Sequence, residues 1–168
     1  MTVMQLLNWG GGSSLKRWVM NQILWYVVPF NRPHAIKVTA VSEDGVHLKL
    51  PLIRKNSNHL KTLHACALAT ACEYATGLHL IRFLDTKKYR IILVEIRMEY
   101  LKQGRSDGYI NFSAERNTIN DITNLLQSES AVIRTFETGV VNQKGDLLCK
   151  GFITWQIKKW TAVKSASN

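Results

Sequence analysis

Acidic residues are scarce: 12 Asp and Glu stand against 22 Lys and Arg in 168 residues, a formal charge of +10 at neutral pH. Such an excess suits nucleic acid, anionic lipid or a polyphosphate ligand, and by itself selects none of them. Cysteine is equally sparse. Cys66, Cys72 and Cys149 are odd in number and lack CxxC spacing, so they form neither a disulfide framework nor a zinc site. They read as reduced, buried thiols of a cytoplasmic protein. With 3 Pro and 10 Gly, the collagen-like and disordered classes are excluded. No apolar run reaches the ~20 residues that span a bilayer. The nearest, Trp18 to Phe30, is broken by Asn21 and Gln22 and lacks the basic start and cleavage site of a signal peptide. What remains is a globular chain, 46% hydrophobic. Its length allows one core that buries roughly 70% of the unfolded surface.

Gly10-Gly11-Gly12-Ser13-Ser14 is the one low-complexity stretch and reads as a flexible hinge ending in a helix N-cap. A helix over about Leu15 to Val28 follows, stopped by Pro29 and Pro33, and is expected to pack on the domain or on a partner surface. Alternation at Ile36, Val38 and Ala40, then at Val46, Leu48, Leu50 and Leu52, predicts a hairpin over residues 36–53 turned at Ser42–Gly45, with Pro51 at a strand end or edge. The run from Leu60 to Phe83 has no proline and is apolar nearly all round, which predicts a helix buried on most sides. Its small residues, Ala65, Ala67, Ala69, Ala71, Ala75 and Gly77, would let a sheet approach closely. Four more strands follow, at about Ile92–Tyr100, Ile110–Ala114, Ala131–Val141 and Leu147–Ile157, with a short helix or irregular excursion over Asn120–Gln127. One helix cannot cover both faces of a parallel sheet. The layout is therefore α+β, a mostly antiparallel sheet wrapped around one long buried helix, with an extra N-terminal helix.

Between Leu60 and Phe83 the one carboxylate is Glu73. An ionised carboxylate on such a helix must be paired, raised in pKa or facing a cavity. If the helix starts near His64, the backbone N–H groups of Ala65 and Cys66 lie at its positive end and could receive an oxyanion. Glu73 lies nine residues after His64, on the opposite face and about 13 Å along the axis. The two groups cannot reach one small reacting centre within one chain, so a site that uses both requires a dimer.

The order of elements and the pattern Asn58-x5-His64-Ala65-x7-Glu73 resemble the hot-dog-fold acyl-CoA thioesterases of the phenylacetate-pathway (PaaI-like) group, over roughly residues 35 to 158. The closing hairpin VVNQKGDLLCKGFITWQI and the segment IILVEIRMEYLKQG are similar to the corresponding strands of that family. The chain then divides into an N-terminal helical extension over 1–34, a hot-dog domain over 35–160, which the resemblance implies, and a tail over 161–168 expected to fray. The resemblance further implies that Asn58 and His64 hold the thioester carbonyl and the lytic water, and that the Ala65 N–H is the oxyanion donor. Glu73 of the partner subunit would be general base or nucleophile. Cys66 would border the substrate, and Lys102 and Arg105 match by position the polar end near the phosphates of coenzyme A. The activity implied is acyl-CoA hydrolysis by a homodimer or dimer of dimers, without a metal and without any cofactor, coenzyme A being part of the substrate. The His-Gly-Gly of the family is here His64-Ala65-Cys66, and Ile91 to Leu93 offer no hydroxyl where the family often places one.

Several other assignments compete for the same residues. Glu73 could be a structural carboxylate paired with an Arg such as Arg97, His64 a helix cap, and Asn58 a turn residue. His59, His64 and Glu73 lack the spacing of a metal site. Cys66 at a helix start would have a lowered pKa but no separate orienting acid. A non-catalytic acyl- or CoA-binding protein is the second functional reading. The basic residues are dispersed and carry no nucleic-acid motif, so a nucleic-acid partner is not expected, and a membrane surface is the less favoured role for the first helix.

Overall fold

The computed structural model describes residues 2–163, and of the expected tail residues 164–168 lie outside the described residues. Six strands form one antiparallel sheet in the order β1-β2-β4-β5-β6-β3. They are β1 (Lys37–Val41), β2 (Gly45–Leu50), β3 (Tyr89–Tyr100), β4 (Gly108–Ser113), β5 (Ala131–Val141) and β6 (Leu147–Lys159). The sheet curls around α3 (Ala65–Phe83), which packs against β2 through β6. The expected layout is therefore what forms.

Small residues set how closely helix and sheet approach. A Cβ on Gly151 of β6 would come within 3.0 Å of the Cys72 Cβ, and one on Gly77 within 3.2 Å of the Trp155 indole. Trp155 donates from Nε1 to Thr76 Oγ1 at 2.9 Å, so the one polar atom of that buried ring is satisfied. Cys72 and Cys149 are buried thiols, whereas Cys66 is exposed, contrary to expectation, because it sits in the first turn of α3 beyond the edge of the core.

His79 is fully buried between Phe83 and Phe112, and neither ring nitrogen has a hydrogen-bond partner. Burial, helped by Arg82, holds its pKa down at about 4. The fold accepts the neutral ring, while the unfolded chain takes up a proton near pH 6.5. Stability should therefore fall as pH drops from about 6.5 to about 4, by on the order of 3 kcal/mol. Denaturant titrations of the parent and of His79→Leu across that window check this, since the parent should lose stability relative to the variant as the pH falls.

Three boundaries differ from the sequence reading. The N-terminal extension holds a second helix before the glycine run, α1 (Val3–Gly10), closed by a capping box between Thr2 and Gln5. Gly10 is buried where α1 crosses α2 (Ser14–Val27), and a Cβ there would collide with the Met20 side chain. The glycine run is thus a packing contact at this residue. The long helix starts at Ala65, not Leu60, because Asn58–Thr62 closes a turn in which Lys61 adopts φ of 59°. The excursion after β4 is a full helix, α4 (Arg116–Ser128), which buries Ile119, Ile122 and Leu126 at helical spacing.

The N-terminal helices are tied to the domain by polar contacts as well as apolar ones. The buried Asn21 amide pairs with β1 as a strand would: Nδ2 donates to Val38 O at 2.9 Å and Oδ1 accepts from Val38 N at 2.8 Å. Trp25 Nε1 donates to Ile36 O at 2.8 Å. No helix among the described residues is long and apolar enough to cross a membrane.

Candidate active site

The start of α3 is held by a loop whose hub is Asn56, fully buried. Its Nδ2 donates to His34 O and Pro51 O at 2.8 Å each, and its backbone O accepts from His64 N at 2.7 Å. On the other side Leu63 N donates to Gly104 O at 2.8 Å, and the Tyr100 hydroxyl donates to Ala65 O at 3.1 Å. The helix terminus is thus fixed from both flanks before any ligand arrives.

His64 is the N-cap, its Nδ1 accepting from Cys66 N at 3.0 Å. That bond leaves the proton of the neutral ring on Nε2. It also occupies one of the two N–H groups that the sequence offered to an oxyanion. The Ala65 N–H, at the first helical position, donates to no group among the described residues. A cleft of about 310 Å³ opens over it, lined by Asn58, Thr62, Ala65, Tyr100 and Lys102 among others.

Asn58 is largely spent on its own turn. Its Oδ1 accepts from Leu60 N at 2.9 Å and Thr62 N at 3.2 Å, and Nδ2 donates to Thr62 Oγ1 at 3.0 Å. One amide hydrogen remains for a ligand. Lys102 lines the cleft with its ammonium 2.9 Å from Asp146 Oδ1, while Arg105 lies outside it with Nη2 donating to Gln103 Oε1 at 2.9 Å. His64 and Cys66 are exposed beside the cleft.

Glu73 is elsewhere. It opens into a second cavity of about 280 Å³ between α3, the N-terminal helices and the sheet, lined by apolar side chains such as Val3, Leu24, Val28, Ile91 and Trp155. Its carboxylate has no hydrogen-bond or ion-pair partner among the described residues. Arg97, a candidate partner, pairs with Glu99 and stacks on Phe152. Burial alone pushes the Glu73 pKa up to about 6. Within one chain Ala65 and Glu73 face separate cavities that share no lining residue. Among the described residues no cluster of His, Cys, Asp and Glu could hold a metal ion.

Asn56, Thr62, Tyr100 and Gly104 shape the cleft, and none of them stood out in the sequence. Asn56, Tyr100 and Gly104 act through hydrogen bonds between distant segments and Thr62 through its turn with Asn58, none of which leaves a periodic signal.

Residues 16–157 match the family model described as a domain of unknown function, DUF4442. The chain belongs to the DUF4442 family. The DUF4442 domain also superimposes on solved structures. One, from Pseudomonas aeruginosa, is a protein of unknown function given as a probable thioesterase, with a TM-score of 0.76 at 15% identity over 83% of this chain and 93% of that one. A thioesterase from Haemophilus influenzae gives a TM-score of 0.59 at 12% identity over 99% of this chain and 96% of that one. A mutant thioesterase from the same Pseudomonas species gives 0.60 at 13% identity, over 77% and 86%. These similarities show that the DUF4442 domain has the hot-dog fold. No curated protein matches the sequence.

Proposed function

We propose that this DUF4442 domain hydrolyses the thioester of a hydrophobic acyl-CoA, in a site built by two copies of the chain. One copy supplies the start of α3 and the other supplies Glu73. The observation that carries this reading is the state of Glu73: a carboxylate without a partner among the described residues, in an apolar cavity, with a pKa of about 6. A structural carboxylate would be paired. One poised near neutrality in an apolar cavity suits a general base.

The free Ala65 N–H would receive the developing oxyanion, backed by the positive end of α3. The His64 Nε2–H and the remaining amide hydrogen of Asn58 would hold the thioester carbonyl and the water, as the resemblance to the phenylacetate-pathway group implies. Glu73 would take a proton from that water as it attacks, and the thiol of coenzyme A would leave. The apolar cavity below Glu73 would take the acyl chain, and Lys102 and Arg105 would lie nearer the phosphates.

The pairing of two copies has support in β3. It is the edge of the sheet, twelve residues long, and exposes Ile92, Val94, Ile96 and Tyr100. A long apolar edge with unpaired backbone groups is a template for another strand. Val94→Lys with Ile96→Lys is expected to turn a dimer into a monomer in light scattering and to abolish hydrolysis together with it.

A second reading, a non-catalytic acyl- or CoA-binding protein, is favoured by the His64 cap on Cys66 N–H and by the commitments of Asn58. Thiol release from acyl-CoA esters of graded chain length separates the two. The hydrolase releases coenzyme A catalytically, whereas the binder shows a raised melting temperature with no turnover.

A further inference from the structure

We propose that the outer face of α2 is a docking surface for an anionic lipid bilayer. Residues 1–42 contain no Asp or Glu, against four basic residues, Lys16, Arg17, Arg32 and Lys37. None of the four makes an ion pair among the described residues. The helix buries Met20, Asn21 and Leu24 on one side. At ~100° per residue its opposite side carries Leu15, Trp18, Gln22 and Tyr26. Leu15 is 70% exposed, Trp18 61%, Tyr26 84%, and Phe30 just beyond the helix 66%. Large apolar side chains left this bare in a row mark an interaction site.

Charge and chemistry choose the occupant. Trp and Tyr favour the boundary between headgroups and acyl chains, and the aliphatic Leu15 gains only from an apolar phase. A nucleic acid would leave Leu15 and Phe30 uncovered. A second copy docked face to face would bring the groove cations Arg17 and Lys37 of each copy towards a segment, residues 1–42, that has no carboxylate to offset them. Beside the stripe, α2 and β1 enclose a groove of about 290 Å³ lined by Arg17, Trp18, Trp25 and Lys37. A guanidinium and an ammonium in one groove, next to exposed indole, fit an acidic headgroup at the depth where the stripe would enter the lipid. The same helix, through Leu24 and Val27 and with Val28 just beyond it, also walls the cavity that holds Glu73. The docking itself requires no turnover and stands apart from the hydrolase reading.

The test is flotation of the full chain with phosphatidylcholine vesicles, with and without phosphatidylserine, at low and high salt. The chain is expected to float with the anionic vesicles, to stay behind with neutral ones, and to be released by salt. Trp18→Glu with Tyr26→Glu should lose flotation while keeping the parent melting temperature, since both side chains are solvent-facing. Arg17→Glu with Lys37→Glu should weaken vesicle binding by at least about tenfold. Failure of the parent to float with anionic vesicles overturns the proposal. So does equal flotation of the Trp18/Tyr26 variant, or a change in its oligomeric state, which would assign the stripe to a second copy.

Discussion

Glu73→Gln is expected to lower acyl-CoA hydrolysis by about 10²- to 10⁴-fold, the usual worth of a general base, while leaving the protein at least as stable as the parent. The two effects share one cause. Burial raises the carboxyl pKa from 4.5 to about 6. Because the folded pKa is the higher one, the carboxyl's stabilising contribution is whole below about pH 4.5 and disappears as pH climbs past 6. Above that, ionised Glu73 costs the fold roughly 2 kcal/mol relative to an uncharged side chain of the same shape. The Gln variant escapes this cost, so its melting temperature near pH 8 should exceed the parent's by about 4 to 8 °C. The parent's rate should rise with pH through about 6, as the base ionises, and the variant should lack that limb. Calorimetry and thiol-release kinetics on the same preparations check both halves. A variant that melts lower and keeps its rate per folded molecule would return Glu73 to a structural role.

Ala65→Pro is the second large effect, and it isolates a single N–H. Proline is tolerated at the first position of a helix, where its missing N–H closes no intrahelical bond. The residue before it, His64, already has φ −69° and ψ 142°, the extended conformation that a following proline demands. The helix should therefore form unchanged, with a circular dichroism spectrum and melting temperature close to the parent's. Hydrolysis should fall by about 10²- to 10³-fold, as when one oxyanion donor is removed. Binding of a non-hydrolysable CoA thioether should change far less, because the donor matters most once the charge develops. Retained turnover in a folded Ala65→Pro protein would exclude the helix start as the oxyanion site.

The long helix and the strands of the sheet were legible because their periodicities are long and agree with turn signals at their ends. The start of α3 was not, since Leu60 and Leu63 extend the apolar pattern while the Asn58 side chain, through its bonds to Leu60 N and Thr62 N, folds that stretch into a turn. The Gly10 position misled for a different reason. Glycine marks a hinge or a close helix crossing equally well, and the choice depended on Met20. In β3 the alternation of apolar residues marked a strand and left its place in the sheet open. Its exposure follows from its edge position and from the irregularity between Leu93 and Glu95, neither of which a period-two pattern records. At the site, Glu73 stood out because a lone carboxylate on an apolar helix must be accounted for. The hub residue Asn56 did not, because buried polar brackets join segments far apart in the chain and look like any loop asparagine.

The claim at the centre of this account, one site made from two copies, is tested most directly by mixing the two inactive variants. Ala65→Pro retains Glu73, and Glu73→Gln retains the Ala65 N–H. Each variant alone should be nearly inactive. After subunit exchange half of the dimers would be mixed, and each of those would hold one intact site of two. The mixture should therefore recover about one quarter of the parent's hydrolysis if the proposed dimer is two-fold symmetric. No recovery, under conditions where tagged subunits demonstrably exchange, would contradict the shared site.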